Sequence, residues 1–319
     1  MKIVFFGSSG FAVPILEELA RNENVALVVT QPDREKGRAL KVAPTAVKSK
    51  AEELGIKIFQ AGNVNTGEAI AFLKKFNADL FIVVSFGQIL SKEILELPRL
   101  YCLNIHASLL PKYRGAAPIN WAIANGEKET GITIIRMNEK MDEGDIMLKE
   151  VVPISDKDNA IILSEKLSKK GASLLLDGIS LIKDNAVEFS VQDNREATYA
   201  PKLKKEDGLI AWKKSAEEIV NRIRAFVPWP GCYTHLDKKM LKIWKTMPVT
   251  ESDTVCRRAR RHTVSDRSKP GAILEANKTG ILVKTGKGSL LIEELQLEGS
   301  RRMTAEEFLA GHKNITYLG

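Results

Sequence analysis

The sequence predicts an α/β protein, with a parallel sheet and crossover helices in its first part and a small β barrel in its last. Three observations predict it. Near the N-terminus, apolar runs of strand length alternate with segments of helical spacing. The stretch 190–207 is polar and charged and breaks that pattern. Beyond it, short alternating runs recur at regular spacing.

The elements follow in order. Lys2–Phe6 is a short apolar run ending at Gly7. It carries one positive charge and is too short for a signal peptide, so it reads as a first strand. Ala12–Ala20 has apolar residues at helical spacing, and Val25–Thr30 is a second buried strand. Leu80–Ser85 is the most strongly apolar strand segment of the chain. Leu100–His106 is another strand, and it delivers Asn104 and His106 at its C-terminal end. Residues two apart on a strand face the same side, and open α/β sheets bind ligands beyond their carboxyl ends. Gly131–Met137 makes a further strand, with Asp142 in the loop after it, and Ala160–Ile182 has the length and periodicity of one long helix. After residue 207 comes an amphipathic segment, Ala216–Ala225. The short runs Cys232–Leu236, Leu241–Trp244, Gly271–Glu275, Gly280–Lys284 and Leu290–Leu295 are the expected barrel strands. Between them, Glu251–Lys269 is polar, contains Arg257-Arg258-Ala259-Arg260-Arg261, and is expected to be a long mobile loop.

Bulk properties narrow the class. A length of 319 residues suits two domains, and 44% apolar residues can bury a sizeable core. Cys102, Cys232 and Cys256 lack metal-site or disulfide-framework spacing, which fits a reducing compartment. No apolar run reaches the roughly 18 residues of a membrane span, so a cytoplasmic protein is expected. The net charge of +8 is unevenly placed. Residues 1–207 carry 28 residues of each sign, whereas residues 208–319 carry 20 basic against 12 acidic. A basic domain beside a neutral one fits a polyanionic partner, and it fits a solvated lysine-rich surface as well.

The chemistry centres on Asn104, His106 and Asp142. An amide, an imidazole and a carboxylate can polarise a small carbonyl and move a proton. Asn104 offers a fixed neutral donor for a developing oxyanion. His106 can donate as well, and a nearby carboxylate would fix its ring. Asp142, or a water it binds, could carry a proton between two nitrogens. Each residue also has a plainer reading. Histidines near strand ends are often structural, Asn104 suits a turn, and Asp142 suits a loop or helix cap. Neither Cys102 nor Ser108 has an obvious activating partner, which makes a covalent route the weaker proposal.

Two further segments carry weaker signals. Gly7-Ser8-Ser9-Gly10 lacks both the dinucleotide and the P-loop pattern and reads as a tight strand-to-helix turn. Thr30–Lys41 is polar, glycine-punctuated and basic, and follows a sheet strand. It is either a surface loop or a flexible contact for RNA.

The segment Asn104-Ile105-His106-Ala107-Ser108-Leu109-Leu110-Pro111 continues as Lys112-Tyr113-Arg114-Gly115-Ala116-Ala117-Pro118, and the carboxylate lies in Met141-Asp142-Glu143-Gly144-Asp145-Ile146. Together these resemble the folate-dependent formyltransferases, and the resemblance extends over the whole chain. It implies a Rossmann-like catalytic domain over 1–189, a linker over 190–207 and a basic OB-like β-barrel domain over 208–319. It implies that Asn104, His106 and Asp142 form the catalytic set and that 10-formyltetrahydrofolate is the formyl donor, with no protein-bound metal. Ser108, Leu109, Leu110 and Pro111 match the segment lining the folate site, and Phe86, Gln88, Ile89 and Leu90 match the loop whose backbone meets the pterin. Leu110–Pro111 is a candidate cis peptide in that segment. Ser8, Ser9 and Phe11 match positions along the cleft. The resemblance further implies initiator methionyl-tRNA as acceptor, met by a loop carrying Lys36, Arg38 and Lys41, and a monomeric enzyme. Transfer to a glycinamide ribonucleotide or an amino sugar nucleotide would use the same three groups, as would a hydrolase. A non-catalytic RNA-binding module would leave those groups unexplained.

Overall fold

The structure, a computed structural model, describes residues 1–36, 41–249, 269–312 and 315–319. It divides into two compact units. The first holds Met1–Pro118, Lys128–Ile154 and Ile162–Pro201; the second holds Ile119–Glu127, Ser155–Ile161 and Lys202–Gly319.

The first unit is built on β1 (Lys2–Gly7), β2 (Asn24–Thr30), β3 (Arg34–Lys36), β4 (Lys41–Ala43), β5 (Ile58–Gln60), β6 (Leu80–Val84), β7 (Tyr101–His106), β8 (Glu129–Arg136) and β9 (Asp145–Pro153). Seven of these form one sheet in the order β5-β2-β1-β6-β7-β8-β9, while β3 and β4 pair with each other. The order reverses direction between β1 and β6, and such switch points open a crevice beyond the strand ends. Alternate residues of β1 divide the core. Val4 and Phe6 join a cluster with Leu27, Val29, Phe81, Val83 and Phe86.

Helices α1 (Val13–Asn22), α2 (Ala46–Glu53), α3 (Gly67–Lys74) and α4 (Lys92–Leu95) connect the parallel strands. In α1, Pro14 stands in the first turn, where its missing N–H is harmless, and Ile15, Leu16 and Leu19 form the buried face. The long helix α6 (Ala160–Lys183) follows β9, with α5 (Pro118–Ala124) before β8. A Cβ at Gly171 of α6 would lie 3.3 Å from Ile105, so this helix packs closely on the β7 side of the sheet.

The expected parallel sheet holds for β5, β2, β1, β6 and β7, and its last two strands differ. The pairs β7–β8 and β8–β9 are antiparallel. The interior of β8 is buried on both faces, Thr130 and Thr133 included, so its sequence is a run without the apolar–polar alternation of a half-exposed antiparallel strand. Strand direction is therefore not written in that run. The stretch 190–207 read as a linker is divided between the units. Ser190 exchanges backbone hydrogen bonds with Ile146, and Arg114 and Thr198–Ala200 do the same. The side chains of Gln192, Asn194 and Thr198, which look like linker polarity in sequence, are satisfied by partners in the first unit.

The second unit contains α7 (Ala216–Ala225), β10 (Cys232–Leu236), β11 (Lys239–Val249), β12 (Ile273–Asn277), β13 (Gly280–Lys284), β14 (Ser289–Leu297), β15 (Met303–Thr304) and α8 (Ala305–Gly311). Its sheet runs β10-β11-β14-β13-β12, with β15 on β14. Among the described residues this path does not close, so a complete barrel is not observed. At the start of α7, Ser215 Oγ accepts from the Glu218 N–H, and the Glu218 carboxylate accepts from the Ser215 N–H. Ile219 and Ile223 are buried four residues apart on the inner face, each contributing about 1.5–3 kcal/mol by leaving water. The expected Glu251–Lys269 loop lies outside the described residues except for Lys269.

Candidate active site

The site begins with β7, whose register sets Asn104 beside Val83 of β6 and His106 beside Thr133 of β8. His106 is 6% exposed. Its Nε2 lies 2.9 Å from the carbonyl of Tyr113. A carbonyl only accepts, so Nε2 carries the proton. That leaves Nδ1 facing the other way, 3.6 Å from Asp142 Oδ1. The Asn104 amide donates to the same Oδ1 at 3.4 Å.

Asp142 reaches these groups from the connection between β8 and β9. Its backbone is left-handed, with φ of 54°, a region aspartate tolerates better than most residues. Its other oxygen, Oδ2, accepts the Gly115 N–H at 2.8 Å. Two glycines make this possible. A Cβ at Gly144 would meet the Arg136 carbonyl at 2.0 Å, and one at Gly115, where φ is 119°, would meet the Ala200 carbonyl at 2.7 Å. The three groups picked out by sequence therefore converge at one edge of the sheet.

The turn between β7 and Gly115 is tied at almost every step. Thr133 Oγ1 donates to the Ser108 carbonyl at 2.7 Å and accepts the Leu110 N–H at 3.1 Å. Ser108 Oγ donates to the Lys112 carbonyl at 2.6 Å, and Thr198 Oγ1 accepts the Tyr113 N–H at 2.9 Å. The Leu110–Pro111 bond is cis. Ser108 and Leu110 are fully buried, Leu110 against Ile135 and Ile146, and Leu109 lies over Gly131. Any ligand at this segment would meet its backbone rather than the side chains of Ser108 and Leu110.

The loop after β6 leaves the same sheet edge. Phe86 is buried edge-on against Phe6 at 5.5 Å, and its carbonyl accepts from Ser8 Oγ at 3.2 Å. Gln88 is occupied: Oε1 accepts the Val64 N–H at 2.8 Å, and Nε2 donates to the Ala61 carbonyl at 3.1 Å. Leu90 is buried, whereas Ile89 is 67% exposed. The Ser9 hydroxyl, two residues beyond β1, is buried without a hydrogen-bond partner among the described residues.

Several groups escaped the sequence reading. Arg114, Gln192, Asn194 and Thr198 are held around the Asp142 loop, yet Gln192 and Asn194 lie in a polar stretch that carries no signal of burial. Of the loop proposed to meet RNA, Lys36 and Lys41 are register partners in the β3–β4 hairpin, while Arg38 lies outside the described residues. Asp33 at the base of the hairpin binds Lys48 Nζ at 2.6 Å and Gln60 Nε2 at 2.8 Å. The Lys48 ammonium holds its carboxyl below the usual carboxylate range. Cys102 is fully desolvated, which pushes its thiol far above neutrality and leaves it inert as a nucleophile. Burial pushes Cys232 up to about 12. Among the described residues, no group of three or more His, Cys, Asp or Glu side chains could hold a metal ion, and no helix is long and apolar enough to cross a membrane.

A switch-point α/β sheet with an amide, an imidazole and a carboxylate at its carboxyl edge defines an enzyme site suited to carbonyl chemistry. Residues 1–179 match the family described as Formyl transferase, and residues 202–313 match the Formyl transferase, C-terminal domain. The chain belongs to this formyl transferase family. A methionyl-tRNA formyltransferase of Geobacter metallireducens is 46% identical over 312 residues, covering 98% of this chain and 96% of the relative. One from Caldanaerobacter subterraneus is 45% identical over 314 residues, covering 98% and 97%. Among solved structures, the sugar 3N-formyl transferase WlaRD, crystallised with dTDP and 5-N-formyl-THF, aligns with a TM-score of 0.66 at 22% identity, covering 94% of this chain and 99% of that one. HypX from Aquifex aeolicus in complex with tetrahydrofolic acid aligns at 0.64 and 16% identity, covering 97% of this chain. This chain spans 47% of the HypX chain. These structures share the fold.

Proposed function

We propose that this protein transfers a formyl group from 10-formyltetrahydrofolate to the α-amino group of methionine on initiator methionyl-tRNA. The observation that carries this reading is the convergence of Asn104 Nδ2 and His106 Nδ1 on one oxygen of Asp142, at 3.4 and 3.6 Å. It lies in a chain whose two parts match the two formyl transferase domains.

The residues present suit a folate. The loop Phe86–Leu90 and the segment Ser108–Pro111 both leave the sheet edge beside the site, with an exposed apolar Ile89 and the orphaned hydroxyl of Ser9 near the strand ends. Backbone groups of these segments would hold the pterin. When bound, the folate supplies a formyl group carried on nitrogen. Asn104 donates to the formyl oxygen where charge develops. His106, its ring fixed through Tyr113, presents Nδ1 to the same region. Asp142 takes the proton that the attacking amine loses, directly or through water, and would deliver it to the folate nitrogen as the bond from that nitrogen to the formyl carbon breaks.

The tRNA acceptor is supported by the relatives' identity over nearly the whole chain and by the basic excess after residue 207. Trp244 on β11 also carries Lys242 Nζ at 5.9 Å and the Arg302 guanidinium at 5.2 Å from its ring centre. Aromatic and basic side chains side by side suit single-stranded or distorted RNA. We assign the segment 36–41, with Lys36, Arg38 and Lys41, to the acceptor end, and an OB-like role to the second unit. The protein acts as a cytoplasmic monomer without a bound metal. Mixing it with 10-formyltetrahydrofolate and either methionyl initiator tRNA or a small amine tests this. Transfer to the tRNA alone is expected. Transfer only to an amino sugar nucleotide, or release of free formate, overturns the acceptor and keeps the chemistry.

A further inference from the structure

Among the described residues, Arg114 is the largest fully buried side chain, at 1% exposed. Burying a guanidinium costs several kcal/mol unless its donors are met. Here they are met by three neighbours. Nη2 donates to Gln192 Oε1 and to Asn194 Oδ1, both at 2.8 Å. Nε donates to Gln192 Oε1 at 3.2 Å, and Nη1 stands 3.5 Å from Glu143 Oε1.

The consequence lies in Gln192, itself 5% exposed. An arginine has donors and no acceptor, so it admits only the oxygen of the Gln192 amide. The –NH2 end must then point away from Arg114. It donates to the carbonyl of Asp142 at 2.8 Å and to that of Gly144 at 2.7 Å. Those two carbonyls bracket the turn in which Asp142 adopts its left-handed backbone. Gly115, the residue after Arg114, donates its N–H to the Asp142 carboxylate. One short segment therefore grips Asp142 twice, once at its side chain and once, through Gln192, at its backbone.

We propose that Arg114 and Gln192 form a positioning clamp that sets the Asp142 carboxylate against His106 and Asn104. Arg114 fixes the orientation of the Gln192 amide, and Gln192 fixes the Asp142 turn. Neither residue is assigned a contact with substrate. The proposal rests on the proton-moving role of Asp142 under the proposed function. Proton-moving groups need their geometry held within a fraction of an ångström, and losing about 1 Å can lower turnover a hundredfold.

Gln192→Glu isolates the clamp. A carboxylate keeps two acceptors for Arg114 but has no donor for the carbonyls of Asp142 and Gly144. Formyl transfer from 10-formyltetrahydrofolate to methionyl initiator tRNA is measured in the wild type, Gln192→Glu, Asp142→Ala and the double variant. Gln192→Glu is expected to lower kcat about tenfold to a hundredfold, leaving KM for the folate unchanged. In the Asp142→Ala background it should cause no further loss, because residues acting through one group are not additive. Equal loss in both backgrounds overturns the clamp, as does wild-type kcat in Gln192→Glu. The side-chain nitrogen signals of His106, one of only four histidines, give a readout independent of turnover. In Gln192→Glu they should move toward their positions in Asp142→Ala; unmoved signals overturn the proposal. Wild-type transfer by Asp142→Ala would instead overturn the role of Asp142, and the nitrogen signals would still decide the clamp. Should Gln192→Glu fail to fold, Arg114→Lys carries the test. An ammonium reaches Gln192 but cannot fork to Asn194, and the same non-additive loss, smaller in size, is expected.

Discussion

Two arginines, one in each unit, show how differently the two parts of this chain use charge. Arg114 in the first unit is 1% exposed and spends its donors on Gln192, Asn194 and Glu143. Arg302 in the second has a side chain 51% exposed, with an ion pair to Glu294 and the face of Trp244 beneath it. A buried guanidinium fixes its neighbours because any unmet donor is costly. An exposed one fixes little, its ion pair is worth about a kcal/mol or less, and it stays free to meet a polyanion. The first unit has the hallmarks of a preorganised site, and the second those of an electrostatic surface.

The sharpest way to break this contrast is at the site itself. His106→Ala and Asp142→Ala are expected to lower kcat for formyl transfer by about 10²–10⁴, with the thermal midpoint moving a few degrees. Activity falling only in step with the folded fraction, followed by circular dichroism, would make both residues structural. Next in size is Gly115→Ala. Its Cβ would lie 2.7 Å from the Ala200 carbonyl at a φ of 119°, so a loss of stability of about 1–3 kcal/mol and at least tenfold lower kcat are expected. A denaturant midpoint equal to wild type would mean that the turn relaxes freely.

Smaller effects are expected away from the site. Arg38→Ala should raise KM for methionyl initiator tRNA several-fold and leave folate binding, measured by fluorescence, as it was; an unchanged KM removes that loop from the tRNA interface. Lys242→Ala combined with Arg302→Ala should flatten the plot of log affinity for tRNA against log salt by about one unit for each phosphate no longer neutralised. An unaltered slope would turn that face away from the RNA. The smallest effect is at Glu218. The Lys214 ammonium, 2.7 Å away, and the Ser215 cap hold its carboxyl down to about 2 from an ordinary 4.5. A depressed carboxyl stabilises the fold above its unfolded value, and that contribution is lost as pH falls through its folded one. Glu218→Gln keeps a capping side chain without the charge. Its midpoint should lie slightly below wild type above pH 4.5, and the gap should close toward pH 2. A gap constant with pH would assign the effect to the cap alone.

Much of the first unit was legible because strands and site residues share local signals. Leu100–His106 reads as a strand from its apolar run and proves to be β7, and the same run carries Asn104 and His106 to the sheet edge. Cys232–Leu236 and Gly280–Lys284 coincide with β10 and β13 because alternation and turn residues bound them. That Asp142 turns toward His106 was suggested by resemblance, since the 35 residues of intervening chain carry no distance. Burial of polar residues was not legible at all. Arg114 and Gln192 look like surface residues in sequence, and only their 78-residue-distant partnership makes them interior. Strand direction in β8 was hidden because burial on both faces erases the alternation that marks an antiparallel strand.

The second unit also borrows from the first half of the chain. Asn120 donates to the Ala225 carbonyl at 2.7 Å, Trp121 meets Phe226 edge-on at 5.7 Å, and Arg224 donates to the carbonyls of Ser155 and Asp158. During synthesis, Trp121 leaves the ribosome about a hundred residues ahead of Phe226. At about 5–20 residues per second, that is a wait of roughly 5–20 seconds before the two rings can meet. The nascent chain therefore passes through a defined interval in which this packing is incomplete. A gene cut after residue 201 would make that interval permanent.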